Sequence, residues 1–390
     1  MYVTRSLSHY KSSPEALHVP PDGPNSGYLV IQDQESETSC FGLYRNRYLP
    51  ELPFPQNKIL NTQYSSGSGD SFHKVVLIPV LNQPLSSNRY YAIKPDGRSR
   101  KGEAFTCSKD EDVRQRCYCS FVRDIKPRPL DTRDVYQQFE IVRYETACSP
   151  SGSFYAKSLA EDGHPPNFLR RKGWQIYSIT PKNFELHEAK GIDVSLRSRL
   201  PDLTFSPATK TSDSVVIGKW YCPFMFIKEG NLSDQMNTSI FYEVTLEQKW
   251  ERVFELENNN NDKGHVVSVR GEVRSESVFI GGRRVEAMWD EKNVVNWAVW
   301  FMSFEGEETV GLSMEVLQRM KWEEEKVGWV GVGDKRVEKV NREEKFEGSG
   351  VWRRFGCYVL VERFVVKRMD GSLVLTYDFG HSHHVKCIFE

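Results

Sequence analysis

The sequence predicts an α+β, β-rich fold of two mainly antiparallel domains with a few short helices. Three observations carry that expectation. Runs of β-branched and aromatic residues at 357–366 and 373–379 meet at Asp370-Gly371, a dipeptide suited to a two-residue hairpin turn. The other apolar runs are short and bounded by Gly, Pro, Asn or Asp, which is how strands are punctuated. The best helical period, over 313–326, puts Leu312, Val316, Leu317 and Met320 on one face and assigns Glu323, Glu324 and Glu325 to a solvated side.

In chain order, strands are expected at 28–31, 75–80, 90–93, 118–122 and 175–179 in the first half, where Val, Ile and Tyr cluster between turn residues. Strands at 222–227, 266–273, 278–280 and 297–302 follow, before the two that flank Asp370-Gly371. Short helices are expected after Ser13-Pro14 and after Asp131. Ser and Asp side chains accept bonds from the first free helical N–H groups, and proline is preset for the first turn. Lys249-Trp250-Glu251 and Lys321-Trp322-Glu323 each precede an alternating strand and a glycine turn, but their unequal spacing does not suit a true repeat.

A chain of 390 residues exceeds what one hydrophobic core usually supports. Two domains are therefore expected, a β-rich one over 1–201 and an α+β one over 215–390, divided by the polar segment 202–214 with Pro207. Hydrophobic residues make up 39% and aromatics 12%, which excludes low-hydrophobicity disorder. The net charge of -1 hides an asymmetry: residues 1–200 hold 27 Lys and Arg against 22 Asp and Glu, and 201–390 hold 25 against 31. Neither half is basic enough to suggest a genome-binding protein, so no specific nucleic-acid binding is expected.

Eight cysteines, spread from 40 to 387, lack the dense framework of a small secreted fold and read as reduced, buried thiols. The start of the chain lacks a continuous apolar export signal. The apolar run 75–81 is broken by Pro79 and falls far below the roughly 20 residues that span a bilayer. These features predict an intracellular protein, cytoplasmic or nuclear, without a membrane span.

The tightest group of metal-ligand types is His381, His383, His384 and Cys387, with His381 and His383 placed on one face by alternation. Two ligands do not complete a tetrahedral site, so a solvated polar terminus and no metal are expected. Cys107, Cys117 and Cys119 lack the chelating turn of a zinc knuckle and suit a core. No nucleophile elbow, cysteine-protease signature or phosphate loop occurs, and His187-Glu188 lacks the second histidine of a zincin because position 191 is Gly. No catalytic residue and no cofactor is assigned.

Residues 89–133 hold 12 Lys and Arg against 7 Asp and Glu, interleaved with Tyr90, Tyr91, Phe105, Tyr118 and Phe121. Arg89, Arg98, Arg100 and Lys101 are the candidate anion-binding residues, three of them just after the Pro95-Asp96-Gly97 turn, where charge-assisted bonds could hold a phosphate or an acidic partner. Ser13, Ser149, Thr180 and Ser206 each precede a proline, a pattern of turn formers that would also suit proline-directed phosphorylation. The tryptophans at 289, 297, 300, 322, 329 and 352 read as core packing, with an aromatic sugar or peptide groove as the other reading.

Several long strings resemble one family. They are Gly23-Pro-Asn-Ser-Gly-Tyr-Leu-Val-Ile-Gln-Asp33, Leu52-Pro-Phe-Pro-Gln-Asn-Lys58, Pro79-Val-Leu-Asn-Gln-Pro-Leu-Ser-Ser-Asn-Arg-Tyr-Tyr91 and Phe168-Leu-Arg-Arg-Lys-Gly-Trp174. Gly218-Lys-Trp-Tyr-Cys-Pro-Phe-Met-Phe226 and Lys367-Arg-Met-Asp-Gly-Ser-Leu-Val-Leu-Thr-Tyr-Asp-Phe379 complete the set. With these the chain resembles a plant-specific family of unassigned function, domain of unknown function number twelve sixty-two, sometimes labelled insecticidal crystal toxin domain. The resemblance spans nearly all of the chain and implies no catalytic residue. A role in stress or defence responses is what it implies about biology.

The function expected is that of a non-catalytic intracellular binding or regulatory protein, with an unknown protein or an anionic small molecule as partner. Two alternatives stay open: a hydrolase-type enzyme whose dispersed catalytic groups converge in the fold, and a β-rich carbohydrate or lipid binder.

Overall fold

The computed structural model describes residues 1–390 apart from 34, 36–38, 41–43, 46, 68, 117–118, 147–149, 180–184, 260–263, 286–293, 296, 304–305, 307–308 and 332–336. The expectations placed on Cys117, Tyr118, Ser149, Thr180 and Trp289 lie outside the described residues. The fold is β-rich, with mostly antiparallel sheets and few short helices, as the sequence predicts. Chain contacts divide it into two compact units. Unit 1 is Met1–Ala189, Tyr221–Tyr242 and Asn296–Ala298, and unit 2 is Lys190–Trp220, Glu243–Val295 and Val299–Glu390.

Unit 1 is built on a six-stranded antiparallel sheet in the order Phe154–Ser158, Gln138–Arg143, Arg89–Ile93, Gly69–Pro79, Ile59–Ser66, Gln175–Ile179. Alternate side chains of these strands, among them Leu60, Val75, Leu77, Tyr90, Phe139, Ile141, Phe154 and Ile176, enclose Trp174 and Phe54 in one core. The indole N–H of Trp174 donates to the Leu169 carbonyl at 2.8 Å, so the largest side chain there is buried with its polar atom satisfied. A second, smaller cluster of Leu7, Tyr10, Tyr28, Val30 and Leu85 forms where the strand Tyr2–Ser6 pairs in parallel with Gly27–Ile31. The helix Leu7–Ser12 continues directly from the first of these strands, because the Ser6 hydroxyl accepts from the His9 amide at 3.2 Å.

Gln56 ties the two clusters together inside unit 1. Its Oε1 accepts from the Val30 amide at 2.7 Å, and its Nε2 donates to the Phe54 and Leu77 carbonyls at 2.7 and 3.1 Å.

In unit 2 the long strands Phe241–Glu257, Arg354–Arg368 and Leu373–Phe389 lie side by side, and Glu276–Ile280 pairs with the last of them. Val266–Arg274 pairs with Val337–Lys345, and strict alternation of exposed and buried residues along the former turns Val267, Val269 and Val273 inward. With Val340 they pack on Val359, Val361, Phe355 and Cys357. The helix Met314–Glu325 starts at Ser313, whose hydroxyl accepts from the Val316 amide at 3.4 Å. Leu203 and Phe205, from the segment expected to divide two domains, pack against Trp250, Tyr358 and Leu360.

Three local expectations are corrected. The strand expected over 222–227 stops at Pro223 and gives way to a single 3₁₀ turn, Phe224–Phe226. Its proline has no N–H to give to a further ladder bond. The hairpin at Asp370-Gly371 has a three-residue loop: the Gly371 amide bonds to the Arg368 carbonyl at 2.9 Å and the Arg368 amide to the Ser372 carbonyl at 2.9 Å. Gly371 adopts φ +85°, the left-handed position that this loop gives to glycine. The strand Phe241–Glu257, at 17 residues, has no counterpart among the expected elements; its charged residues interrupt the apolar pattern by which strands were recognised.

Candidate functional site

The four candidate anion-binding residues are dispersed. Arg89 sits in the strand Arg89–Ile93 opposite Glu140. Arg98 is exposed on the following loop. Arg100, held at φ +58°, donates Nη1 to Glu103 at 3.1 Å and to the Pro127 carbonyl at 2.8 Å. Lys101 donates to Asn237 Oδ1. The two neighbouring cations are thus spent on different partners within unit 1.

A cavity of about 580 Å³ lies elsewhere in unit 1, within the range of about 300–1,000 Å³ usual for small-molecule sites. The helix Leu7–Ser12 and the 3₁₀ turn Pro14–His18 supply Leu7, Tyr10, Lys11, Pro14 and Leu17 to its wall. Leu49 and Leu52 extend the apolar lining, and Lys11 and Arg143 add two cations against the one carboxylate of Glu51. Gln32 reaches the cavity just past the strand Gly27–Ile31. Its main chain is pinned by Asn57, which accepts from the Gln32 amide at 2.9 Å and donates to its carbonyl at 3.3 Å. The side chain is 8% exposed and its Oε1 has no hydrogen-bond partner. Burial also raises the pKa of the Tyr10 phenol, so this lining hydroxyl stays neutral.

Unit 2 holds a denser group of ionisable side chains. The helix Val194–Arg199, capped by Asp193 Oδ1 accepting from the Leu196 amide at 2.9 Å, presents Arg197. Gln248 comes from the strand Phe241–Glu257, Glu362 from Arg354–Arg368 and His381 from Leu373–Phe389. Arg319, Glu323 and Glu324 come from the helix Met314–Glu325, and all seven side chains are buried. Arg197 grips Glu362 with two parallel bonds, Nε to Oε1 at 3.1 Å and Nη2 to Oε2, and donates Nη1 to the Glu323 carbonyl at 3.0 Å. Gln248 Nε2 donates to Glu362 Oε1 at 2.7 Å and to the Arg197 carbonyl at 3.1 Å. Arg319 pairs with Glu323 one turn along the helix, and His381 Nε2 stands 2.9 Å from Glu324 Oε2.

Burial pushes the pKa of Glu324 well above the ordinary carboxylate value, and the charge of Glu362 adds to the shift. It opposes ionisation of Glu362 too, but the bond and charge of Arg197 outweigh it and hold that pKa below the usual value. His381 is driven down to about 4, chiefly by burial, and is neutral at ordinary pH.

The solvated faces expected for Glu323, Glu324 and His381 are therefore corrected: each is 0% exposed. For the helix the signal was present in the sequence. Glu323 and Glu324 follow Val316 and Met320 at spacings of three, four, seven and eight, which place them on the apolar face. For the strand, a bulge breaks the alternation: Val359 pairs with Val385 but Leu360 pairs with His381, leaving Ser382, His383 and His384 as extra residues. His381 is buried as a result, and His383 is exposed, with Nε2 at 3.2 Å from the Val327 carbonyl.

Donor atoms of Glu324, Glu362 and His381 lie within 4.8 Å of one another, a spacing that a divalent cation could bridge. The chemistry of the set argues against one. Arg197 and Gln248 already occupy the Glu362 oxygens, and a dication beside two guanidinium groups would leave the buried group with excess positive charge. Substrate access is equally poor, since all seven side chains are buried.

Residues 22–118 match the model of a family described as Protein of unknown function (DUF1262). No curated protein matches the chain by sequence. Among solved structures, the crystal structure of Cry35Ab1 is similar at 10% identity and TM-score 0.45, covering 86% of this chain and 90% of its own; no function is transferred at that level of likeness. Among the described residues no helix is long and apolar enough to cross a membrane.

Proposed function

We propose that this chain is a non-catalytic binding protein and that the cavity of unit 1 receives a small amphipathic anion. The observation that carries the reading is the lining itself: Leu7, Leu17, Leu49 and Leu52 form an apolar wall beside the polar side chains of Lys11, Arg143 and Gln32. An apolar wall supplies affinity in proportion to the ligand area it removes from water, and a few fixed polar groups supply orientation. Enclosure of the His381 and carboxylate group in unit 2 favours binding over hydrolysis, because a nucleophile or acid must touch its substrate.

The test uses a neutral fluorescent probe, 1-aminoanthracene, with dodecanoate and dodecanol as competitors. Both competitors are expected to displace the probe, dodecanoate more strongly. The variant Leu17→Trp, which narrows the cavity, should weaken probe binding, and Lys11→Gln with Arg143→Gln should weaken dodecanoate about tenfold while leaving dodecanol unchanged. Probe binding left unchanged by Leu17→Trp would place the ligand elsewhere and overturn the reading.

A further inference from the structure

Among the described residues, the buried group in unit 2 is one positive charge short. Its fixed cations are Arg197 and Arg319, and its carboxyl groups are Glu323, Glu324 and Glu362. Arg197 is committed to Glu362 by two bonds, and Arg319 to Glu323. Glu324 is left with a longer approach, 3.5 Å from its Oε1 to Arg197 Nη2, and that oxygen has no hydrogen-bond partner. Gln248 is neutral, His383 and His384 lie with ring centroids 5.4 and 6.3 Å from that of His381, and Trp322 lies under the Arg319 guanidinium. None of these supplies a fixed positive charge.

We propose that Glu324 is held as a neutral carboxylic acid in the folded protein, so that unit 2 traps one proton whose release at alkaline pH loosens the packing of the helix Met314–Glu325. A neutral Glu324 makes the group electrically balanced, two carboxylates against two guanidinium groups. The histidine is compatible with it. His381 with its proton on Nε2 donates to Glu324 Oε2, which leaves Nδ1 as a bare acceptor, and Nδ1 has no partner. A bare ring nitrogen is less costly to bury than an N–H or a charge. The raised pKa of Glu324 and the depressed one of His381 agree with this placement.

The sign follows from linkage. A carboxyl group whose folded pKa is raised contributes stability that is full below its ordinary value of 4.5 and is lost as pH rises through the folded value. His381, depressed from 6.5 to about 4, contributes stability that is present above 6.5 and lost as pH falls towards 4. Between 4.5 and 6.5 the two cancel: the unfolded chain keeps one proton on His381 and the folded chain keeps one on Glu324. Above 6.5 only the Glu324 proton remains, and folding takes it up.

The test compares the full chain with Glu324→Gln, an isostere of the neutral acid, by urea unfolding from pH 6.5 to 9. Relative to the variant, the folding constant of the parent should fall by about tenfold per pH unit until the folded pKa is passed. Parallel curves would overturn the proposal. The acid carbonyl stretch in the infrared spectrum of the parent decides the matter even if Glu324→Gln does not fold. A protonated-carboxyl band at pH 7 that disappears on unfolding supports the trapped proton, and its absence at pH 7 rules it out.

Discussion

Arg197 Nε and Glu362 Oε1 stand 3.1 Å apart in the interior of unit 2, although 165 residues separate them in the chain. Neither side chain has water to fall back on, so each is the other's solvation. Replacing Arg197 with Leu would leave the Glu362 carboxylate buried beside Glu323 and Glu324, and the expected cost is about 3–5 kcal/mol of unfolding free energy. Urea denaturation of the full chain measures it; a loss below 1 kcal/mol would mean that the group relaxes into solvent.

Glu324→Gln should create an acid limb that the parent lacks. With the compensating proton removed, His381 alone sets the slope, and stability should decline from pH 6.5 downward instead of staying level to about 4.5. Thermal midpoints at pH 4.5, 5.5 and 6.5 give the comparison directly.

Gly380 leaves no room for a side chain. A Cβ there would collide with the Arg274 carbonyl and stand 2.8 Å from Val273 Cγ1, while the Gly380 amide is fixed by a 3.0 Å bond to the Ser275 carbonyl. Gly380→Ala should destabilise unit 2 by about 1–3 kcal/mol through forced displacement of the neighbouring strand. The same change at Gly371, where no atom lies within 4 Å, should cost about 1 kcal/mol through its φ of +85° alone.

Gln56→Met should cost about 1–3 kcal/mol, because it leaves the Val30 amide and the Leu77 carbonyl without the side-chain partners they have now. Amide exchange at Val30 should quicken in the variant more than exchange in the strand Gln175–Ile179, which does not depend on this side chain.

Local pattern made much of the architecture legible. The expected strands at 28–31, 90–93, 175–179 and 266–273 each fall within an observed strand, and the one at 75–80 overruns the strand Gly69–Pro79 by a single residue, because β-branched and aromatic residues between turn formers already satisfy a half-buried pleat. The helix expected over 313–326 was also readable, and the observed one, Met314–Glu325, starts just after Ser313, whose hydroxyl caps it. The candidate sites were much less so. Arg98, Arg100 and Lys101 were chosen for charge and proximity in sequence, and the structure turns Arg100 and Lys101 to partners that proximity in sequence could not name.

Composition and periodicity by themselves determined a β-rich, mostly antiparallel chain with few helices, because side-chain shape and alternation act over a handful of residues. Only tertiary structure decided that Glu324 and His381 are buried, that they meet at 2.9 Å, and that Lys11, Gln32 and Arg143 line one cavity. Those outcomes depend on contacts across up to 165 residues and on a three-residue bulge after His381. An ionisable side chain looks the same in sequence whether its counter-charge is water or a distant arginine, and burial is what distinguishes the two.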